Sequence, residues 1–313
     1  MASMDLPASA LPTLRQLQFL TALQAHGSFV KAAEAVGVTQ PTLSAGIKEL
    51  ETALEAVLVE RGRAGAILTP AGEAAAARAV QLLADVEALV HAARGANTPF
   101  TGRFRLGAIP TIAPFILPRA LPMLRARYPN MQLMLREDIT HRLVEGLRNR
   151  TLDAAIIALP FAAPDLETVV VAEDEFLFLG PRGHPLADRN DLAPEHLRAE
   201  ELLLLDDGHC LRDHALSLCG STPGARAAEV SATSLHTLVH MVAGGMGVTL
   251  LPKLAADGGA VSGAPVTLRP FADPVIGRAI GVAWRAGGSR QDEARALVAV
   301  LAEAMASLAA APG

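Results

Sequence analysis

Residues 28–44 carry the sequence SFVKAAEAVGVTQPTLS, and this stretch decides how the N-terminal part of the chain folds. Ser28 can cap a helix over Phe29–Val36, Gly37 supplies a turn, and Thr39 can cap a second helix. The second helix repeats apolar residues at helical spacing along one face. A short helix, a glycine turn and a second helix in this order are typical of a helix-turn-helix.

The outward face of the second helix is a candidate surface for binding double-stranded DNA. Because Leu43 and Ile47 point inward, the opposite face carries short hydrogen-bonding side chains near the helix N-terminus. Such side chains contact base edges and phosphates. An ordinary three-helix subdomain with a solvated face would show the same spacing and stays open on spacing alone. The predicted DNA-binding residues are Thr39, Gln40, Pro41, Thr42, Ser44, Lys48, Arg61 and Arg63.

The charge balance does not favour strong non-specific binding to nucleic acid. The chain has a formal net charge of −5, and residues 1–71 hold five basic and six acidic side chains. Non-specific affinity rests on neutralising phosphates, so a single head is expected to bind DNA weakly. An oligomer that presents several such heads would compensate. Gly46 on the second helix also costs about 1 kcal/mol of helix stability relative to alanine.

Length and composition are typical of a globular protein with two or three domains. The chain has 313 residues, of which 51% are hydrophobic, so it can bury sizeable cores. No apolar run approaches the roughly 20 residues of a membrane span, and no secretory signal is evident at the N-terminus. We therefore expect a cytoplasmic protein that needs neither a membrane nor a cofactor.

After the first helices the chain changes to long helical and short extended elements. Glu60–Thr69 predicts a β-hairpin, Pro70 opens an alanine-rich helix that ends near Arg94, and Gly95–Gly102 is predicted to be a hinge. Beyond the hinge, strands and helices alternate, which predicts a mostly parallel α/β sheet. The expected strands are Arg103–Ile109, Met131–Leu135, Leu152–Leu159, Phe176–Leu179, Glu201–Leu205, Val248–Leu251 and Ala279–Trp284.

The chain has two cysteines, Cys210 and Cys219, nine residues apart. A reactive thiol needs a lowered pKa, and His209, Arg212 and His214 supply positive or donor character beside Cys210, while neighbouring aspartates oppose it. A helix that begins at this cysteine would lower the pKa further. On these residues alone, two inert buried cysteines are slightly favoured.

Metal sites are less favoured interpretations of the histidines. His236 and His240 are four residues apart on a predicted helix, a spacing that can bind a metal, but no third ligand follows at a suitable spacing. A structural or solvent-facing pair is therefore expected, and no metal is predicted. Four further side chains could in principle hold zinc, but this interpretation is also less favoured. They are His209, Cys210, His214 and Cys219.

Several motifs together resemble the LysR-type transcriptional regulators over essentially the whole chain. They are Ser28–Glu34, Val38–Ser44, Leu68–Gly72, and Met241–Gly247 ahead of Leu250–Pro252. The resemblance implies a winged, mostly α helix-turn-helix domain, a long linker helix that dimerises, and an α/β effector domain. That effector domain would have two lobes, like a type-2 periplasmic binding protein, with the chain crossing between the lobes twice.

The resemblance also implies domain boundaries. The winged helix-turn-helix would span 1–70, the linker helix 71–94 and the hinge 95–102. The first regulatory lobe would combine 103–174 with 279–313. The second lobe, 175–278, would hold both cysteines.

Within this family, Leu205–His214 followed by Cys219 is similar to the peroxide-sensing members, as are Ile109–Thr111 and Ala232–Leu235. This similarity implies that Cys210 is the peroxidatic cysteine and that Cys219 resolves it as a disulfide. It implies hydrogen peroxide as effector, promoter DNA and RNA polymerase as partners, a homodimer or homotetramer, and association with the bacterial nucleoid. The implied peroxide pocket consists of Thr111, Thr140, Gly208, His209, Arg212, Asp213 and Arg278.

Two other functions are weighed against a peroxide-responsive regulator. In the first, a regulator of the same family binds a small metabolite between its lobes, and the cysteines are incidental. In the second, the chain is a thiol peroxidase that turns peroxide over with a reductant. The helix-turn-helix argues against this enzyme.

Overall fold

The computed structural model describes residues 11–62, 65–93, 99–100, 102–219 and 226–309. The chain divides into two units. The first is formed by residues up to 96 together with 149–151, and the second by the remaining residues. The predicted hinge, 95–102, falls largely outside the described residues. The predicted boundaries of the linker helix and of the two lobes stay predictions.

The first unit contains the predicted helix-turn-helix, β-hairpin and long helix, and all three are confirmed as elements. The side-chain oxygen of Thr39 accepts a hydrogen bond from the N–H of Thr42 and so caps the second helix of the motif. Ser28, by contrast, makes no capping hydrogen bond with the described residues. The elements are α1 (Leu14–His26), α2 (Phe29–Ala35), α3 (Gln40–Ala53), β1 (Val59–Gly62), β2 (Gly65–Leu68) and α4 (Pro70–Ala93).

Gly46 on α3 has a packing role that its helix propensity does not show. A Cβ atom at this position would lie 2.6 Å from Cδ2 of Phe19, whose ring is buried on α1. Because real Cβ atoms do not approach carbon so closely, glycine is what lets α3 pack directly against that ring. The helix stability lost at Gly46 is therefore offset by close packing between α1 and α3.

The second unit contains the seven predicted strands, with β6 longer than expected. Two strands and a short helix were not predicted: β8, β10 and α9. The elements are β3 (Gly102–Ala108), α5 (Ala113–Arg127), β4 (Met131–Glu137), α6 (Thr140–Arg148), β5 (Ala154–Leu159), β6 (Leu166–Pro181), β7 (Glu201–Leu205), α7 (Cys210–Cys219), β8 (Arg226–Ala232), α8 (Leu235–Ala243), β9 (Thr249–Pro252), α9 (Lys253–Asp257), β10 (Val266–Pro270), β11 (Gly277–Arg285) and α10 (Gln291–Ala309).

The main sheet is mixed, so the prediction of a mostly parallel sheet is wrong. Its strand order is β10-β6-β11-β5-β3-β4, with β9 also paired to β6. Strand β3 runs parallel to β4 and β5, whereas β6 and β11 pair antiparallel with each of their neighbours. Parallel pairs need a long crossover, usually a helix, but the described chain enters β6 and β11 through short segments without one. Strands β7 and β8 form a separate parallel pair.

The core of the second unit lies on both faces of this sheet, and Asp174 is one of the charged residues buried in this unit. Along β6, Asp174, Phe176 and Phe178 are buried in alternation, while Glu173 and Glu175 are exposed. This alternation follows from the period of two in a strand and carries the aspartate to the same face as the phenylalanines. Among the described residues, no helix is both long and apolar enough to cross a membrane.

Candidate functional site

Cys210 is the first residue of α7, directly after the loop that follows β7. Gly208 in this loop has φ +89°, which glycine adopts without strain. A Cβ there would lie 3.0 Å from Cδ1 of Ile139, so the glycine lets the loop pass close to the start of α6. Thr140 begins that helix. The fold thus brings two segments of the predicted peroxide pocket together.

A buried guanidinium lies beside the thiol. Arg278 on β11 donates from Nη1 to the hydroxyl of Thr111 at 2.8 Å and from Nη2 to the carbonyl of Thr111 at 3.0 Å. The same Nη1 lies 4.0 Å from Sγ of Cys210. Two predicted pocket residues, Arg278 of β11 and Thr111 of the loop after β3, therefore meet the predicted redox cysteine of α7 around one positive charge.

Asp174 of β6 completes this arrangement, and it was not among the predicted site residues. Its Oδ2 accepts from Nε of Arg278 at 3.0 Å, and its Oδ1 accepts from the N–H of Leu254 at 2.8 Å. Burial raises the pKa of Asp174, while Arg278 and the Leu254 N–H oppose that rise. A sequence signal did exist, because the alternation along β6 places Asp174 on the face of Phe176 and Phe178.

The basic residues beside Cys210 in sequence do not give its thiol a lowered pKa. Burial raises its pKa, and the nearby carboxylate of Asp213 adds to the rise. The charge and hydrogen bond of Arg278, with the N–H of Leu211, act in the opposite direction but do not outweigh burial. In this state the thiol is protonated at neutral pH, with a cation in place to stabilise its thiolate.

The basic neighbours of Cys210 in sequence behave differently from one another. Arg212 turns to Asp207, at 2.9 Å, and donates to the carbonyl of Leu205 at 3.2 Å. Burial lowers the pKa of His209, opposed by the carboxylate of Asp206. Arg212 therefore does not supply the positive charge beside the thiol that was predicted for it. The cation beside the thiol is Arg278.

His214 lies one helical turn after Cys210. Burial lowers the pKa of His214 and the charge of Arg278 lowers it further, while the Cys210 carbonyl and Asp213 oppose this. Its ring packs against Phe176 with centroids 5.8 Å apart. The imidazole is therefore held neutral close to the thiol.

Thr140 and Cys219 complete the account of the predicted redox residues. The hydroxyl oxygen of Thr140 is buried and makes no hydrogen bond with any residue that the structure describes. It therefore has unused hydrogen-bonding capacity beside Gly208. The backbone of Cys219 ends α7, whereas its side chain lies outside the described part of the chain.

A cavity of about 610 Å³ opens beside this cluster. Arg278 and His214 form part of its wall, and Glu173 and Thr168 of β6 contribute further polar groups. Apolar residues after β5 form much of the remainder, among them Pro160 and Phe161. The cavity has the size of a small-molecule site and is lined by both apolar and polar groups.

The predicted DNA-binding residues are placed by α3 and the wing. Thr39, Gln40, Pro41, Thr42 and Lys48 are exposed, and Ser44 is partly buried. The backbone of Arg61 lies in β1, but its side chain is not among those described, and Arg63 lies outside the described residues. Four of the exposed residues lie at the N-terminal turn of α3, and Lys48 lies about two turns further along the helix.

The two histidines of α8 do not form a metal site in the described structure. His236 and His240 are exposed, and the ring of His236 stacks against Phe115 with centroids 5.9 Å apart. Within the described ranges, no group of three or more histidine, cysteine or acidic side chains is arranged to hold a metal ion.

Two family profiles match the chain. One is described as the LysR substrate binding domain and covers residues 97–306. The other is described as a bacterial regulatory helix-turn-helix protein of the lysR family and covers residues 14–73. Together they cover most of both units and leave residues 74–96 between them unmatched.

Proteins similar to this chain support the match to these two profiles. A probable hydrogen peroxide-inducible genes activator from Streptomyces viridosporus is 42% identical over 298 residues, which is 95% of this chain and 96% of that protein. A full-length OxyR cysteine variant from Pseudomonas aeruginosa matches with a TM-score of 0.76 and 35% identity over 94% of each chain. A hydrogen-peroxide-bound OxyR cysteine-to-serine mutant from Corynebacterium glutamicum matches with a TM-score of 0.65 and 34% identity over 96% of each chain.

Proposed function

The chain belongs to the LysR family of bacterial helix-turn-helix regulators, and we propose that hydrogen peroxide switches it by oxidising Cys210. Its relatives include peroxide-inducible activators, and the family consists of transcriptional regulators rather than enzymes. The thiol peroxidase alternative is therefore not retained. DNA binding would fall to the exposed face of α3, and the effector unit would detect the oxidant.

The observation that carries this proposal is the buried contact of Arg278 with both Thr111 and Cys210. A thiolate attacks peroxide, forming an S–O bond as the O–O bond breaks, which leaves a sulfenic acid on the cysteine and releases the other oxygen as hydroxide, which becomes water on protonation. The guanidinium stabilises the thiolate that reacts. The unpaired hydroxyl of Thr140 would supply a further hydrogen bond to the bound peroxide.

Formation of a disulfide with Cys219 would require α7 to change. Nine residues of α-helix separate the two Cα atoms by about 13–14 Å. A disulfide requires Cα atoms within about 7 Å. Residues Cys210–Cys219 form an α-helix, so closing the bond would unwind it and alter the surface that this part of the effector unit presents.

The same proposal extends to assembly and partners. The linker helix, residues 71–94, would dimerise the chain, and two dimers would form a homotetramer. Its several DNA-binding heads together would compensate for the weak binding of a single head to DNA. Unwinding of α7 would reset the spacing of these heads on promoter DNA and their contact with RNA polymerase. The lobes, 103–174 with 279–313 and 175–278, would carry this change from the cysteines. The protein would act at the nucleoid in the cytoplasm.

Peptide mass mapping of the full-length reduced protein before and after dilute peroxide tests the proposal. We expect a linked Cys210–Cys219 peptide in the wild type and increased hydrogen exchange over α7. The Cys219→Ser variant should trap a sulfenic acid on Cys210, and Cys210→Ser should stay unmodified. If Cys210→Ser is oxidised and Cys219→Ser is not, the two roles are inverted.

A regulator that binds a small metabolite is the second candidate, and the cavity of about 610 Å³ favours it. In that case the cysteines are incidental. Peroxide would leave both thiols unmodified, and operator binding by the wild type and by Cys210→Ser would respond equally to the metabolite. The mass mapping thus separates the two candidates.

A further inference from the structure

His214 is the polar group beside Cys210 whose bonding is least explained by the fold. Its Nδ1 is buried and has no partner that meets ordinary hydrogen-bond geometry among the described residues, while the Cys210 carbonyl is close enough to favour its protonated form. It stands four residues after Cys210 in α7, so the two side chains share one helix face with Cβ atoms about 5–6 Å apart. The histidine also lines the cavity that Arg278 borders.

The buried thiol needs somewhere to send its proton. Burial keeps Cys210 protonated, and Arg278, a permanent cation, can stabilise the thiolate but cannot accept a proton. Asp174, the carboxylate paired with Arg278, already accepts from Arg278 and Leu254, and the carboxylate of Asp213 raises the pKa of the thiol. Of the two nearby histidines, His209 is influenced by Asp206, whereas Arg278 acts on both His214 and Cys210.

We propose that His214 accepts the proton of the Cys210 thiol and returns it to the leaving group of the peroxide. The inference rests on the proposed function for its oxidant, hydrogen peroxide. The thiol proton passes to the imidazole, directly or through a water in the cavity, and leaves a thiolate beside Arg278. The thiolate electron pair forms the S–O bond, the O–O bond breaks, and the released hydroxide takes the proton from the imidazolium. The products are a sulfenic acid, water and neutral His214.

The surroundings of His214 suit a group that is protonated only briefly. Arg278 of β11 disfavours the imidazolium, and Asp213 of its own helix favours it. Glu173 of β6 lines the same cavity. The 3-10 turn Pro194–Ala199, which packs against α7, carries an exposed Glu195 and a histidine, His196, whose Nδ1 accepts from the Ala193 N–H. The balance leaves His214 neutral at rest and able to accept a proton.

The rate constant for oxidation of Cys210 by peroxide tests this role in the full-length protein. His214→Gln keeps a polar side chain that cannot carry the proton, and we expect the rate constant at neutral pH to fall about a hundredfold, as for loss of a general acid–base group. The pH profile should lose the inflection that belongs to the histidine. His236→Gln, an exposed histidine of α8, is the matched control and should keep the wild-type rate constant and profile.

Two further measurements separate this inference from the proposed function. Alkylation of Cys210 by iodoacetamide needs the thiolate but no peroxide, and its pH midpoint should rise in His214→Gln. If peroxide leaves wild-type Cys210 unmodified while this midpoint still rises, the proposed function fails and the proton transfer stands. An unchanged rate constant and an unchanged alkylation midpoint in His214→Gln overturn the role of His214.

Chemical rescue gives the sharpest readout. His214→Ala enlarges the cavity, and added imidazole should restore oxidation of Cys210 by about tenfold or more in a pH-dependent way. A merely structural histidine would give no rescue, and that result overturns the inference. Should neither variant fold, deuterium exchange at histidine C2–H in the wild type and in Cys210→Ser replaces them. A shift in the titration of His214 between the two supports the coupling, and identical titrations overturn it.

Discussion

In the helix-turn-helix unit, six of the eight residues proposed to contact DNA lie in one run of chain, from Thr39 to Lys48, and most of these six face solvent. Around Cys210 the residues that meet come from distant parts of the chain. Thr111 and Arg278 are 167 positions apart, yet they share a buried hydrogen bond. Function and stability should therefore be separable on α3, where a single helix presents the side chains, and inseparable around Cys210, where packing creates the site.

The largest effect is expected from Asp174→Ala, which leaves the charge of Arg278 buried without its partner. Loss of one member of a buried ion pair costs about 3–5 kcal/mol of unfolding free energy. Trp284, the single tryptophan of the chain, is buried on β11 and reports unfolding of the effector unit by its fluorescence. A denaturant titration of the full-length protein measures the loss.

Asp165→Ala is the matched control for that prediction. Asp165 pairs with Arg148 at 2.8 Å with both side chains about half exposed, and the guanidinium holds the pKa of Asp165 at about 2. Exposed pairs contribute little, so the titration should not move measurably at neutral pH. Equal losses for Asp165→Ala and Asp174→Ala would contradict the view that burial makes the site and the fold inseparable.

A smaller effect, confined to function, is expected from Thr42→Trp on α3. The indole would occupy the exposed polar face, while the backbone N–H of residue 42 still donates to the Thr39 cap. We expect specific operator affinity to fall about a hundredfold, or about 2.7 kcal/mol, without a change in the stability of the effector unit. Because the variant adds a second tryptophan, the stability of that unit is measured by hydrogen exchange of β11 rather than by fluorescence.

Gln24→Trp, at an exposed position of α1, is the control for Thr42→Trp. It adds the same side chain to the same unit and should leave operator affinity, measured by fluorescence anisotropy of labelled DNA, at the wild-type value. If Thr42→Trp also keeps that affinity, α3 does not recognise the operator.

The smallest effect concerns the packing of α1 against α3. Gly46→Ala gains helix propensity of about 1 kcal/mol but drives a methyl group into the Phe19 ring, and overpacking costs about 1–3 kcal/mol. We expect a net loss of about 1 kcal/mol, measured by hydrogen exchange of the α3 amides. In a Phe19→Leu background the same change should become stabilising. Stabilisation in both backgrounds would show that the ring moves aside freely.

The sequence predicted much of the local structure because local structure depends on neighbours in the chain. The turn at Gly37, the cap at Thr39, the β-hairpin and the helix that starts at Cys210 all appear where their patterns predicted them. Each of these depends on spacing, capping or backbone freedom within a few residues. The resemblance to LysR regulators then gave the family, which the profiles and relatives confirm.

The tertiary structure decided strand direction and the electrostatics of the site. Nothing local to β6 or β11 shows that both run antiparallel to their neighbours, because strand direction depends on where the chain returns to the sheet. Likewise the basic neighbours of Cys210 in sequence would act to lower the pKa of its thiol, but the thiol is buried and its pKa is raised. Burial and charge act through space, so Arg278 and Asp174 matter to Cys210 only because distant strands bring them beside it.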